Sequence, residues 1–293
     1  MKKGILALLV VGACWGPTLQ ANDWKNAPIS EVQKAAEQSD AKAQFLLGSM
    51  YVQGKGVAQD DKQAVTWFRK AAEQGDAKAQ GLLGIMYVQG KGVAQDDKQA
   101  VTWFRKAAEQ GDATAQYLMG MAYEDGRGVA QDDKQAVAWF RKAAELGHAD
   151  AQTKLGLMYD DGRGVAQDDK QAVTWFRKAA EQGDAKAQSM LGSMYVQGKG
   201  VAQDYKQAAT WFRKAAEQGN AQAQRLLGMM YDIGVGVVQD NKLAYVWSSV
   251  SAANGDVEAA TNRDLFAKRL SPAVLAEAQA LAGQYVEQYQ PKQ

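Results

Sequence analysis

The chain is short of the residues on which disulfide-stapled proteins and many enzymes depend. It has one cysteine, Cys14, and one histidine, His148. A lone cysteine cannot close a disulfide within the chain, so the folded body must be held by packing even in an oxidising compartment. A lone histidine makes neither a metal site nor a Ser-His-Asp relay without other ligands, or a nucleophile and an orienting acid, beside it. An excess of either charge is also missing: 34 Lys and Arg balance 33 Asp and Glu, for a net charge of +1. The basic residues recur beside acids, and no cationic track is left to neutralise phosphates, which argues against nucleic acid. Long apolar runs are absent too. The run from Ile5 to Val11 is too short to cross a bilayer, and nothing after it approaches the required length.

The N-terminus has the layout of an export leader. Lys2 and Lys3 form a positive region ahead of Ile5–Val11, and Leu19-Gln20-Ala21 offers a small residue for cleavage. Residues 1–21 are therefore expected to be a signal peptide, with Asn22 as the mature start. A second route stays open. Val11-Gly12-Ala13-Cys14 resembles the lipobox of bacterial lipoproteins, whose cysteine is lipidated. The expected location is exported, periplasmic or secreted, with an outer-membrane lipoprotein anchored at Cys14 as the alternative.

What the chain has in abundance is repetition. Blocks open at Asp40, Asp76, Asp112, His148, Asp184 and Asn220, each 36 residues after the last, without insertion or deletion. A period of that size is one helical hairpin per block, stacked into a solenoid, because a single hairpin cannot bury its own apolar side. The domain reading is 1–21 leader, 22–39 N-terminal capping helix, then blocks 40–75, 76–111, 112–147, 148–183, 184–219 and 220–255. Residues 256–293 form C-terminal capping helices.

One block shows how a hairpin is specified. Asp40 is an N-cap residue, and Ala43, Leu47, Met50 and Tyr51 recur at helical spacing. Gly54 sits where a left-handed residue ends the helix, and Gly56-Val57 makes a tight connection. Asp60 with Gln63 resembles a capping box for a second helix, whose apolar stripe is Ala64, Trp67, Phe68, Ala71 and Ala72. Gly75 ends it. Aromatics recur in register at Trp67, Trp103, Trp139, Trp175, Trp211 and Trp247, and at Tyr51, Tyr87, Tyr123, Tyr159, Tyr195 and Tyr231. A ladder of rings could be a ligand cage, but identical rings at identical positions are expected to be the structural core between hairpins.

The pattern Ala43-x-x-x-Leu47-Gly48-x-x-Tyr51-x-x-Gly54-x-Gly56-Val57, followed by Asp60, Ala64, Trp67, Ala71-Ala72 and Gly75, resembles the Sel-1-like repeat, a tetratricopeptide-related α/α module. The resemblance implies an all-α, right-handed superhelical solenoid of six repeats plus end caps, acting as an adaptor or scaffold, often in bacterial envelopes. It implies no shared catalytic residues and no cofactor. Some relatives carry a disulfide in each repeat; this chain lacks those cysteines.

The second helices hardly change between blocks, whereas the first helices diverge. Counting the opening residue as one, position six reads Phe45, Gly81, Tyr117, Thr153, Ser189, Arg225, and position ten reads Ser49, Ile85, Met121, Leu157, Ser193, Met229. Positions three and thirteen vary as well, and spacings of three, four and three put all four on one helix face. In tetratricopeptide-like solenoids the first helices line the concave wall. The stripe is therefore expected to bind a protein or peptide, with Phe45, Ile85, Tyr117, Met121, Leu157, Arg225 and Met229 as anchors. The plainer alternative is an exposed face that drifts because nothing constrains it.

Motifs resembling catalytic sites are weak. Ser39-Asp40-Ala41-Lys42 matches Ser-x-x-Lys, and some Sel-1-like relatives have been linked to β-lactams, but the companion Ser-Asp-Asn and Lys-Thr-Gly motifs are absent. Ser39 instead stands where other blocks carry the terminating glycine. Glu124-Asp125-Gly126 and Asp160-Asp161-Gly162 hint at a calcium loop without the alternating acids of an EF-hand. No catalytic or metal residue is assigned. The runner-up functions are an envelope enzyme or binder acting on β-lactam or peptidoglycan, and a structural lipoprotein.

Overall fold

Every regular element among the described residues, 27–290 of a computed structural model, is an α-helix, fifteen in number. The leader, the cleavage point after Ala21 and Cys14 lie outside the described residues. Helix α1 (Ile29–Glu37) precedes six hairpins: α2 (Ala41–Gln53) with α3 (Asp61–Glu73), α4 (Ala77–Gln89) with α5 (Asp97–Glu109), α6 (Ala113–Asp125) with α7 (Asp133–Glu145), α8 (Ala149–Asp161) with α9 (Asp169–Glu181), α10 (Ala185–Gln197) with α11 (Tyr205–Ala216), and α12 (Ala221–Ile233) with α13 (Asn241–Ala253). Then come α14 (Val257–Ala267) and α15 (Pro272–Gln288). The chain divides after Leu146 into two units. In the first, α1 packs on α2, α3 on α4 and α5 on α6; in the second, α9 packs on α10, α11 on α12, and α13 on both α14 and α15.

Local chemistry sets the helix ends. Asp40 Oδ1 accepts from the Ala43 amide at 2.8 Å, and Asn220 Oδ1 serves Ala223 at 2.9 Å. His148 caps α8 through Nδ1, which accepts from the Ala151 amide at 3.3 Å. Asp60 is the N-cap of α3, as its spacing to Gln63 suggested, but only one half of the capping box is built. Asp60 Oδ1 accepts from the Lys62 and Gln63 amides at 2.9 and 3.1 Å, whereas the Asp60 amide that a capping-box Gln63 would serve donates instead to the Tyr51 carbonyl at 3.0 Å. Gly54 closes α2 with φ 66°, donating to the Met50 carbonyl. Ser39 adopts φ 68° at the end of α1, the one non-glycine among the described residues with positive φ.

Inside the first five hairpins the bulk comes from phenylalanine. Phe68, Phe140, Phe176 and Phe212 are among the largest fully buried side chains, and each lies against a glycine of the paired helix. A Cβ on Gly120 would stand 2.5 Å from Phe140 Cδ1, so only hydrogen fits there. Block six replaces the ring with Ser248, whose Oγ takes the space over Gly228.

Tryptophan and tyrosine lie between hairpins. Trp103, Trp139 and Trp175 are 8% exposed and Trp247 4%, while Trp67 and Trp211 are half-buried. Trp103 packs with Ala64 and Phe68 of the preceding block, and Trp139 with Ile85 and Ala100. The outer indole face is covered by a lysine three residues on, Lys70 Nζ lying 4.1 Å from the Trp67 ring and Lys106 Nζ 4.2 Å from Trp103. Tyr195 and Tyr231 are buried; Tyr51, Tyr87, Tyr123 and Tyr159 are half-buried. Tyr87, Tyr123, Tyr195 and Tyr231 each receive a hydrogen bond on the hydroxyl from an arginine eighteen residues earlier, at 2.6–3.0 Å. These bonds fix one hairpin's register on the next.

At the end of the array Trp247 gathers Tyr285 and Tyr289, with ring centroids 5.2 and 5.5 Å away. Ser271 caps α15 with Pro272 at its first position. No described helix is long and apolar enough to cross a membrane.

Candidate interaction surface

The divergent residues of the first helices fall on one face of each, yet they are not equally available. In the first unit Phe45 and Tyr117 are half-buried, leaning on Phe68 and Phe140 with centroids 5.9 and 5.7 Å apart. Met121 is half-buried as well, whereas Ile85 is only 8% exposed and packs with Val101 and Trp139. Ile85 belongs to the core and leaves the set of anchors. Ser49 is buried too, its hydroxyl bonded to the Phe45 carbonyl at 2.9 Å.

In the second unit Leu157 is half-buried and Met229 is 41% exposed. Arg225 is not a free anchor. Its Nε meets Asp256 Oδ2 at 2.9 Å and its Nη1 meets Glu258 Oε2 at 3.1 Å, so its charge ties α12 to the start of α14. Thr153 and Ser189 are buried. Position thirteen has likewise become structural there, since Lys199 Nζ meets Asp160 Oδ1 at 2.9 Å and Asp169 Oδ1 at 3.6 Å. The hydrogen bond to Asp160 raises the Lys199 pKa above its ordinary value. Asp232 pairs with Arg269.

The acidic pairs do not form a loop. Glu124-Asp125 and Asp160-Asp161 are the last residues of α6 and α8, where negative charge opposes the helix dipole. Arginines follow two residues after each pair, and Arg127 binds Asp97 at 3.1 Å. Among the described residues no three His, Cys, Asp or Glu side chains converge to hold a metal.

One repeated set of functional groups escaped the sequence reading. Gln44, Gln80, Gln116, Gln152, Gln188 and Gln224 are all buried. In the first unit Gln44 Nε2 donates to the Ala36 carbonyl at 3.0 Å and Gln80 Nε2 to Ala72 at 3.0 Å. Their carbonyl oxygens accept from Gln74 and Gln110, thirty residues on, at 2.7 and 2.8 Å. The second unit repeats the rung at Gln182 to Gln152, Gln218 to Gln188 and Asn254 to Gln224. The rung fails once. Residue 146 is leucine, 58% exposed, and Gln116 Oε1 is buried without a partner. The recurrence of glutamine at the fifth position of every block was the available signal.

The Sel1 repeat model matches residues 41–76, 77–112, 113–148, 149–184, 185–220 and 221–256, one residue out of step with the blocks above. The crystal structure of a Sel1 repeat protein from Oxalobacter formigenes is 35% identical, with a TM-score of 0.66, over 77% of this chain and 97% of that one. A protective antigen of uropathogenic Escherichia coli displaying an SLR fold is 29% identical, with a TM-score of 0.48, over 90% of this chain and 87% of that one. The secretory immunoglobulin A-binding protein EsiB of Escherichia coli O6:H1 is 42% identical over 69 residues, which is 24% of this chain and 14% of EsiB. The chain therefore spans only a small part of that relative's length. With six consecutive matches over most of its length, the chain belongs to the Sel1 repeat family.

Proposed function

We propose that this protein is an exported, non-enzymatic scaffold that holds a protein or peptide partner on the face built by its first helices. Sel1 repeat proteins are protein-interaction scaffolds, a generally non-enzymatic family. The observation that carries the reading is the contrast within each hairpin. Core positions repeat almost unchanged, whereas Phe45, Tyr117, Met121, Leu157 and Met229 differ from block to block and keep part of their apolar surface in water. Partly exposed aromatic and methionine side chains on a rigid support are suited to anchoring a partner. Export is supported by Lys2, Lys3 and the apolar run to Val11, with periplasmic or secreted delivery and lipid attachment at Cys14 separable by mass spectrometry of the mature N-terminus.

Secretory immunoglobulin A, named for the relative EsiB, is a defined first probe. The test is capture of that probe, and of envelope and host proteins, by wild type and by Tyr117→Ala and Met229→Ala. Each variant should lose about tenfold or more in affinity for the captured partner with helicity unchanged. Undiminished capture by both variants, or turnover of nitrocefin by the wild type, would overturn the proposal.

A further inference from the structure

Where block three meets the second helix of block two, the loop of the later block presses against α5. Gly128 comes so close that a Cβ there would stand 2.1 Å from the Asp97 carbonyl oxygen and 2.9 Å from Val101 Cγ2. Between helix and loop lies an open groove of about 420 Å³. Buried Val101 and half-buried Val129 supply its apolar lining. Lys98 stands toward one end, Arg105 and Lys106 toward the other, and Glu109 one turn farther along the helix. None of these residues belongs to the divergent stripe, so the groove is separate from the face proposed above.

Three positive charges line the groove against one negative, and the cations join no ion pair among the described residues. Arg105 Nη2 donates to the neutral Tyr123 hydroxyl at 3.0 Å, which leaves its charge and its other N–H groups to a ligand. Lys106 Nζ lies 4.2 Å from the Trp103 ring, which steadies the ammonium without neutralising it. Lys98 and Lys106 are eight residues apart, about 12 Å along the axis. Side chains at i and i+4 on one side of an extended strand are about 13 Å apart. We propose that the groove takes an extended acidic segment of a partner protein. One carboxylate, at i, meets Lys98; a second, at i+4, meets Arg105 and Lys106; an apolar residue at i+2 covers Val101 and Val129. The apolar lining between the cations favours a peptide over a bare phosphate chain, and Glu109 repels negative charge continued past Lys106.

The probe is acetyl-Glu-Ala-Val-Ala-Glu-amide, titrated into the full chain while the methyl NMR signals of Val101 and Val129 are followed. Helices α3 and α9 repeat the sequence of α5, so these two residues identify this groove among its counterparts. Saturable shifts should appear at about millimolar peptide, the range for so small a ligand. Acetyl-Gln-Ala-Val-Ala-Gln-amide should bind about threefold or more weakly, as for two exposed ion pairs, and added salt should narrow that gap. Lys98→Gln combined with Lys106→Gln, both at exposed positions, should erase most of the gap with helicity unchanged. Absence of saturable shifts in wild type, equal binding of the two peptides, or a glutamate preference undiminished by the double substitution overturns the proposal. Tripolyphosphate moving the same methyls at lower concentration than the glutamate peptide would overturn it in favour of a phosphate ligand. The groove shares no residue with the divergent stripe, so these failures leave the capture experiment standing.

Discussion

Restoring the missing rung at residue 146 measures what the glutamine ladder contributes. In the first unit, rungs at Gln74 and Gln110 satisfy the buried oxygens of Gln44 and Gln80, and Leu146 leaves that of Gln116 bare. A buried acceptor without a donor costs about 1–3 kcal/mol. Leu146→Gln supplies the donor, but it removes the buried part of a leucine that is 58% exposed, worth up to about 1 kcal/mol, and orders a longer side chain at a similar cost. The informative comparison is therefore Leu146→Gln against Leu146→Ala, since both lose the leucine and only one rebuilds the rung. Leu146→Gln should be more stable by about 1–2 kcal/mol. The reciprocal change, Gln110→Leu, orphans Gln80 and should cost about 1–2 kcal/mol. Urea unfolding at constant slope gives the differences, and native-state hydrogen exchange in α6 and α4 localises them, because a repeat array need not unfold in one step. Equal stability of the two residue-146 variants together with a neutral Gln110→Leu would refute the reasoning.

Three further outcomes are expected. Ser39→Gly should stabilise the N-terminal helix by about 1 kcal/mol, since Ser39 holds φ 68° where a Cβ is unfavourable, and slower hydrogen exchange in α1 would show it. Gly120→Ala should cost about 1–3 kcal/mol, because its Cβ would stand 2.5 Å from the Phe140 ring; an unchanged urea midpoint would contradict this packing. Asp184 caps α10 from a site where burial raises its pKa, against the opposing pull of the Ala187 amide and the Thr153 hydroxyl. A raised carboxyl pKa means the folded state holds the proton more tightly, so this group's contribution falls as pH rises from about pH 4 through its folded value. Asp184→Asn, the cap already used at Asn220, should be at least as stable as wild type at neutral pH, with the difference shrinking toward about pH 4. Urea midpoints at the two pH values decide it.

The helices were legible in the sequence because their ends are written in local backbone chemistry. Asp40, Gly54 and even the substitute Ser39 act within a few residues of themselves, so spacing alone locates them. Depth was less legible. Tryptophan and tyrosine stood out by size, but in blocks one to five the most buried ring of the hairpin is phenylalanine, lying against a glycine on the partner helix. The glutamine ladder was hidden because glutamine in an amphipathic pattern reads as surface, and its partners lie eight residues before and thirty after it. The divergent face was visible as variation, yet variation does not reveal burial. Ile85 and Arg225 vary like Tyr117 and Met229, and only packing shows that one has turned inward and the other is held by Asp256.

Helices α3, α5 and α9 share one sequence, Asp-Lys-Gln-Ala-Val-Thr-Trp-Phe-Arg-Lys-Ala-Ala-Glu. Wherever such a helix meets its successor, the mating chemistry is the same, so whole units could be duplicated or excised by recombination without leaving a mismatched join. Block three is the exception, since Ala122 stands where the other blocks carry methionine and Leu146 leaves the rung within the block unmade. Array length is thus free to drift over generations while that one block keeps its own address along the chain.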